Sequence, residues 1–222
     1  LPSLTIKAAL NGADWIHSSG ITPALGPAPR KGLHDLWRAA QTAGIPVSFD
    51  CNFRPSLWQG RLAQARRELS AGMSVARVAF ADSRVLGLVL GEEIPRTDEV
   101  AAFTRLARKA FVRYPRLQQI AATSRTEHSA SRHELQGFLA TRDGVESSDR
   151  LVADPIVDRI GTGDAFAAAL LLASLEGMAS RQALSWAVAA CVLKHSFPGD
   201  FNLATRVEVE ALAAGRSGGI RR

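Results

Sequence analysis

Asp158-Arg159-Ile160-Gly161-Thr162-Gly163-Asp164-Ala165-Phe166 is the stretch on which the reading of this 222-residue chain turns, because a long apolar helical segment, Thr162–Leu175, starts inside it. Gly161 and Gly163 let another group approach the backbone closely. At a helix start the first amides have no partner within the helix, so those around Thr162–Ala165 are expected to face outward as an anion site. Asp164 falls in the first helical turn, where the same dipole favours a carboxylate. An acid beside an anion hole suits phosphoryl transfer, in which amides hold the moving group and the acid takes a hydroxyl proton. An ordinary glycine-rich turn capped by an aspartate would carry the same residues. The segment is not GxxxxGK[ST], which excludes a Walker A loop. It lacks GxGxxG and comes late in the chain, which disfavours a dinucleotide fold.

Working outward, helical and strand patterns alternate. Helices are expected at Pro2–Leu10, Lys31–Thr42 (Leu33, Leu36, Trp37 and Ala40 on one face, Gly44 at the end), Gln59–Ser70, Ser74–Ala81 and Thr97–Arg113. The long pair Thr162–Leu175 and Arg181–Leu193 follows, then a short Val207–Ala213. Strands are expected at Asp14–His17, Ile45–Phe49, Val85–Leu90 and Leu117–Ala122, Val85–Leu90 being apolar throughout like a parallel strand covered on both faces. Glu134–Arg150 reads as a hairpin about Asp143-Gly144. The tail Gly215–Arg222 reads as a loose or docked end. This alternation argues for a three-layer α/β fold in a single domain, 1–222.

Bulk properties narrow the function. With 46% hydrophobic residues the chain can build one sizeable core. Its most apolar run, Ala165–Leu175, falls short of the roughly 20 residues that span a bilayer. No leader pattern is visible in LPSLTIKAAL, and Cys51 and Cys191 read as reduced thiols of a cytoplasmic protein. The five histidines lack zinc-ligand spacing. The net charge of +6 comes from dispersed arginines, which suits a small anionic ligand better than nucleic acid.

The opening stretch resembles the second signature of the PfkB (ribokinase-like) carbohydrate kinases, D-T-x-G-A-G-D-x-F. Asp158, Gly161, Gly163, Asp164 and Phe166 fall at matching places, with Arg159 for threonine and Thr162 for alanine. Nearly the whole chain is further similar to the 2-dehydro-3-deoxygluconate (KDG) kinases of that family. The likeness runs through Asp14–Leu25, Phe49-Asp50-Cys51-Asn52-Phe53-Arg54-Pro55-Ser56-Leu57-Trp58, Ile156–Gly161 and Lys194-His195-Ser196-Phe197-Pro198-Gly199-Asp200-Phe201-Asn202. The resemblance implies a three-layer α/β/α ribokinase-like sandwich without its N-terminal strands and β-lid. It implies ATP-dependent phosphorylation of 2-dehydro-3-deoxy-D-gluconate to the 6-phosphate, with Asp164 as base and Gly161, Thr162 and Gly163 as the anion hole. Asn52, Phe53, Arg54 and Arg125 would meet the acidic sugar, Arg54 near its carboxylate. Asp158, Lys194, His195, Gly199 and Asn202 would shape the nucleotide pocket. Mg²⁺ is implied with the nucleotide, and a monovalent cation is a further candidate.

Two departures stand against this. Phe53 replaces the usual tyrosine, removing a hydroxyl, and Leu90-Gly91-Glu92-Glu93-Ile94-Pro95 lacks the asparagine of the family's N-x-x-E motif, leaving Glu92 or Glu93 for the metal network. The partners expected are a small sugar acid and ATP, with neither nucleic acid nor membrane, and a homo-oligomer where the lid is present. Alternatives are another PfkB kinase, of fructokinase or ribokinase type, or a truncated nonenzymatic remnant.

Overall fold

The structure, a computed structural model, describes residues 3–94 and 98–215. The expected helix starts at Pro2 and Thr97 and the tail beyond Gly215 fall outside them. It is a mixed α/β fold whose central sheet is flanked by helices, with strand order β1-β2-β3-β4-β5-β6 and β7 beside β5. The chain forms two compact units, one of Leu1–Ala121 with Ala140–Gly144, the other of Ala122–Leu139 with Val145–Arg222.

In the first unit α1 (Ser3–Leu10), β1 (Ile16–Ser19), α2 (Pro27–Thr42), β2 (Val47–Asp50), α3 (Leu62–Val75), β3 (Val78–Phe80), α4 (Ser83–Leu90), α5 (Glu99–Arg113) and the start of β4 (Gln119–Ser129) follow in order. The strands are parallel, with Ile16 opposite Val47, Ser48 opposite Val78 and Val78 opposite Gln119. A helix in each connection makes this possible, since parallel neighbours need a crossover. Helix α2 starts on Pro27, whose fixed φ suits the first helical position. Trp37 packs edge-on to Phe49 with ring centroids 5.5 Å apart. Burying each such side chain stabilises the fold by roughly 1.5–3 kcal/mol. Gly72 lies against the Phe49 ring so closely that a Cβ there would collide with it.

Two expectations fail here. Val85–Leu90 is not a strand but lies in helix α4, and Ser74–Ala81 is not a helix but the end of α3 followed by strand β3. A short continuous apolar run has no period to distinguish the two states. Local chemistry decides: the Asp82 carboxylate accepts the Val85 N–H at 2.9 Å, and Gly91 ends α4 in the left-handed region (φ 74°). Strand β3 is only three residues long and wholly buried, too brief to leave a pattern.

The second unit holds the rest of β4, β5 (Arg132–Ala140) as far as Leu139, β6 (Val145–Ser147), β7 (Leu151–Ala153), α6 (Thr162–Leu175), α7 (Ser180–Lys194) and α8 (Arg206–Ala213). Strand β7 runs antiparallel to β5, Leu151 facing Leu135. The expected hairpin forms, and Thr141 N–H bonds Gly144 O at 2.8 Å across its turn. Helices α6 and α7 pack together, and both bury small residues, among them Ala169, Ala173, Ala183 and Ala187. Helix α6 begins at Thr162 and ends at Leu175, as the sequence indicates.

Candidate active site

The Asp158–Asp164 loop is fixed by its own backbone. Val157 N–H donates to His195 O at 2.8 Å and Ile156 N–H to Ser131 O at 2.9 Å, tying the approach to α7 and to the turn before β5. The Asp158 carboxylate then accepts three amides, those of Arg159 (2.6 Å), Ile160 (3.0 Å) and Gly199 (2.8 Å). The Ile160 and Gly199 amides, with the Arg159 amide and the charge of Lys194, hold its carboxyl below the usual range. Gly161 follows at φ 75°, and a Cβ on it would run into the Asp200 carbonyl oxygen. The first rung of α6 is Ala165 N–H to Gly161 O at 2.9 Å, so the amides of Thr162, Gly163 and Asp164 take no part in the helix ladder. Thr162 is buried and its hydroxyl donates to Arg159 O at 3.1 Å, closing the turn from within. Gly163 and Asp164 are exposed. A Cβ on Gly163 would meet nothing within 4 Å, and the Asp164 carboxylate has neither a hydrogen bond nor an ion pair among the described residues.

The Asp158 arrangement makes the loop acid-sensitive. Its folded pKa lies below the ordinary 3.8, so its contribution is complete above that value and is lost as pH falls through the lower, folded value. Asp158→Asn presents an amide N–H where Gly199 N–H needs an acceptor. We expect the variant to unfold at lower temperature near neutrality and to lose part of the wild-type decline in stability as pH falls below 3.8. Thermal unfolding across that range is the check, and matching curves would remove the carboxylate's bracing role.

The other residues assigned to a nucleotide pocket serve mainly to build the turn after α7. Lys194 is fully buried and its ammonium donates to Phe197 O at 2.9 Å. His195 is also fully buried, its Nδ1 2.8 Å from Cys191 O, and burial pushes its imidazole below the usual histidine range. The Asn202 side chain donates to Ala190 O at 3.1 Å and accepts from Ala204 N–H at 3.0 Å. Gly199 meets the loop through its amide, and His195 through its carbonyl, which accepts Asp158 N–H at 3.2 Å. Exposed apolar side chains precede and follow these turns, namely Val157, Ile160, Phe201 and Leu203, and sequence reading passed over them.

Arg125 is exposed on β4, 3.8 Å from Glu127. Glu127 was not among the expected site residues, yet its carboxylate also takes the Arg159 guanidinium at 2.7 Å. Residues 125 and 127 share a face of the strand, a two-residue spacing that was visible in the sequence. The partner that makes Glu127 matter is 32 residues away, and no local pattern announces it.

In the first unit, Asp50 ends β2 and accepts Asn52 N–H at 3.0 Å. Asn52 has φ 36°, an uncommon conformation outside glycine that tends to mark functional turns. Its side-chain oxygen accepts the exposed Arg54 Nε at 3.2 Å. Phe53 packs against the buried cluster of Ala24, Trp58 and Ala65. Asp50, Asn52 and Arg54 therefore form one short relay that presents a guanidinium from the end of a strand.

The expected metal pair does not form a ligand group. The Glu92 carboxylate is bound by Lys109 at 2.6 Å, which holds it below the usual range, and Glu93 is exposed. Among the described residues no three His, Cys, Asp or Glu side chains cluster as metal ligands. Cys51 and Cys191 are free and buried, their thiols pushed up by burial, Cys191 to about 12.

A ribokinase-type α/β fold with a helix-capping glycine, unspent amides and an unpaired aspartate is the class the architecture defines. No family model matches the chain. It is 30% identical over 207 residues to a 2-dehydro-3-deoxygalactonokinase of Haloferax volcanii, covering 93% of this chain and 59% of that protein. A crystal structure of 2-dehydro-3-deoxygluconokinase from Thermotoga maritima matches at TM-score 0.87 and 33% identity, covering 95% of this chain and 63% of that one. A putative Ribokinase II from E. coli, solved in complex with ATP and Mg²⁺, shares the fold at TM-score 0.71 and 15% identity, over 95% of this chain and 61% of that one. The chain thus spans 59–63% of the length of these relatives. By fold and by sequence over nearly its whole length, the chain is similar to PfkB-family carbohydrate kinases.

Proposed function

We propose that this chain carries the phosphoryl-transfer machinery of an ATP-dependent kinase for 2-dehydro-3-deoxy-D-gluconate, giving ADP and the 6-phosphate. The observation that carries the reading is the exposed, unpaired Asp164 carboxylate one residue beyond Gly163 at a helix start whose amides are unspent. Such amides suit the equatorial oxygens of a phosphoryl group in transit. Asp164 takes the proton of the terminal sugar hydroxyl as that oxygen attacks phosphorus and the bond to the ADP oxygen breaks. Gly161 and Asp158 hold the loop without touching the reacting atoms. Val157, Ile160, Phe201 and Leu203 offer apolar contact area suited to a nucleobase. Mg²⁺, when bound with the nucleotide, neutralises phosphate charge. Of this chain's residues, Glu93, exposed where Glu92 is paired with Lys109, would be the one to reach it.

The acceptor preference rests on Arg54, whose planar guanidinium suits a sugar carboxylate through two parallel hydrogen bonds. Asn52 aims it through the 3.2 Å bond. Both a galactonokinase and a gluconokinase for 2-dehydro-3-deoxy acids are among the relatives, which supports the acid class ahead of the epimer. A coupled ADP-release assay with Mg-ATP and each of 2-dehydro-3-deoxygluconate, its galacto epimer, fructose and ribose tests this. Turnover confined to the acids is expected, and a preference for fructose or ribose would overturn the acceptor assignment. Arg54→Gln should raise KM for the acids at least tenfold with a smaller change in kcat.

A further inference from the structure

We propose a second anion site, separate from the Asp158–Asp164 loop, in a cavity of the first unit between α3, α4 and α5, built to take a small phosphate-bearing ligand. The cavity measures about 460 Å³ and is lined by Arg66, Arg67, Ser70, Ser74, Val89 and Arg113, with Ala71 at its wall. That volume is within the range of small-molecule sites. No carboxylate lines it. Elsewhere in the chain arginines close on acids, as in Arg150–Glu134 and Arg206–Glu176, both at 2.6 Å. Arg66, Arg67 and Arg113 have no acidic partner among the described residues. Placing three like charges around one concavity is unfavourable until an anion enters.

Two of these guanidinium groups are held in place by the surrounding fold. Arg66 donates through Nε to Val89 O at 3.4 Å, and its guanidinium lies over Gly91, where any Cβ would collide with it. Gly91 thus serves two ends, its φ of 74° and the room it leaves. The Tyr114 hydroxyl is bonded to Ser70 Oγ at 2.8 Å, which fixes the ring on whose face Arg113 rests, 5.8 Å from the centroid. Arg67 completes the rim beside Ser74, whose hydroxyl donates to Ala71 O at 2.7 Å. Guanidinium groups ordered before binding lose less entropy per hydrogen bond formed. Three arginines from two helices, with no carboxylate in the lining, suit an anion of charge two or more better than a single carboxylate.

Pyrophosphate is the probe. It is titrated by calorimetry and by thermal unfolding at constant ionic strength into the wild type, into Arg67→Gln/Arg113→Gln and into the charge-matched control Arg108→Gln/Arg116→Gln. All four positions are exposed, so the variants are expected to fold. The wild type and the control should bind in two events, one of them at the Asp158–Asp164 loop. The Arg67/Arg113 variant should retain the loop event and lose at least tenfold in the other. Unaltered titration of the Arg67/Arg113 variant or equal loss in the control would each overturn the site, whereas a single wild-type event that disappears in the Arg67/Arg113 variant would uphold it and count against the loop instead. Since the readout is binding, the result stands whether or not the chain transfers a phosphoryl group.

Discussion

Asp164→Asn is expected to lower kcat for phosphoryl transfer by about 10²–10⁴-fold, the usual worth of a general base, while leaving KM for the nucleotide within a few fold. The substitution is isosteric and the wild-type side chain is exposed without a partner among the described residues, so no contact is lost. The one interaction altered in the free protein is that of a carboxylate with the start of α6, worth about 0.3–1 kcal/mol and screened by salt. Thermal unfolding should therefore move by only a few degrees. Initial rates at saturating substrate, with unfolding and nucleotide titrations on the same preparation, separate the outcomes. A rate within tenfold of wild type would remove Asp164 as the base. A large fall in nucleotide affinity would instead recast it as a binding residue.

What the sequence made legible depended on how local the cause was. Helix α6 was readable to the residue because its start is set by Gly161 and its body by the apolar run Ala165–Ala173. The exposed Asp164 and the turn at Asn52 follow from motifs contained in a few positions. Helix α4 was misread because a capping bond from Asp82 and the left-handed Gly91, outside the run itself, select helix over strand. Lys194, His195 and Asn202 entered the reading only through the resemblance, because one sequence does not separate buried polar side chains from ligand contacts. Their bonds to Phe197, Cys191 and Ala190 are visible only in three dimensions. Glu127 escaped for the opposite reason: its neighbours in sequence are unremarkable and its partner Arg159 is remote. Only folding brings such a pair to 2.7 Å.

Gly161→Ala and Gly163→Ala should fail in opposite ways, and the contrast tests the anion loop more sharply than either variant alone. At Gly161 alanine meets two costs, a φ of 75° and a collision with the Asp200 carbonyl oxygen. The left-handed conformation alone costs about 1–2 kcal/mol, and the backbone clash adds to it. This variant should unfold several degrees earlier, with α6 displaced at its start. At Gly163 the backbone is helical and the Cβ would enter open space. Alanine is favoured over glycine inside a helix by up to about 1 kcal/mol, so Gly163→Ala should hold or raise the unfolding temperature. Its methyl group nevertheless stands beside the amides that are proposed to receive the phosphoryl oxygens. Transfer should fall by at least tenfold and pyrophosphate should bind the loop more weakly, in a protein no less stable than the parent. Loss of activity without loss of stability is what a binding surface predicts and a merely structural glycine does not. If Gly163→Ala keeps full activity, the amides of this helix start do not contact the moving group, and the kinase reading loses the observation that carries it.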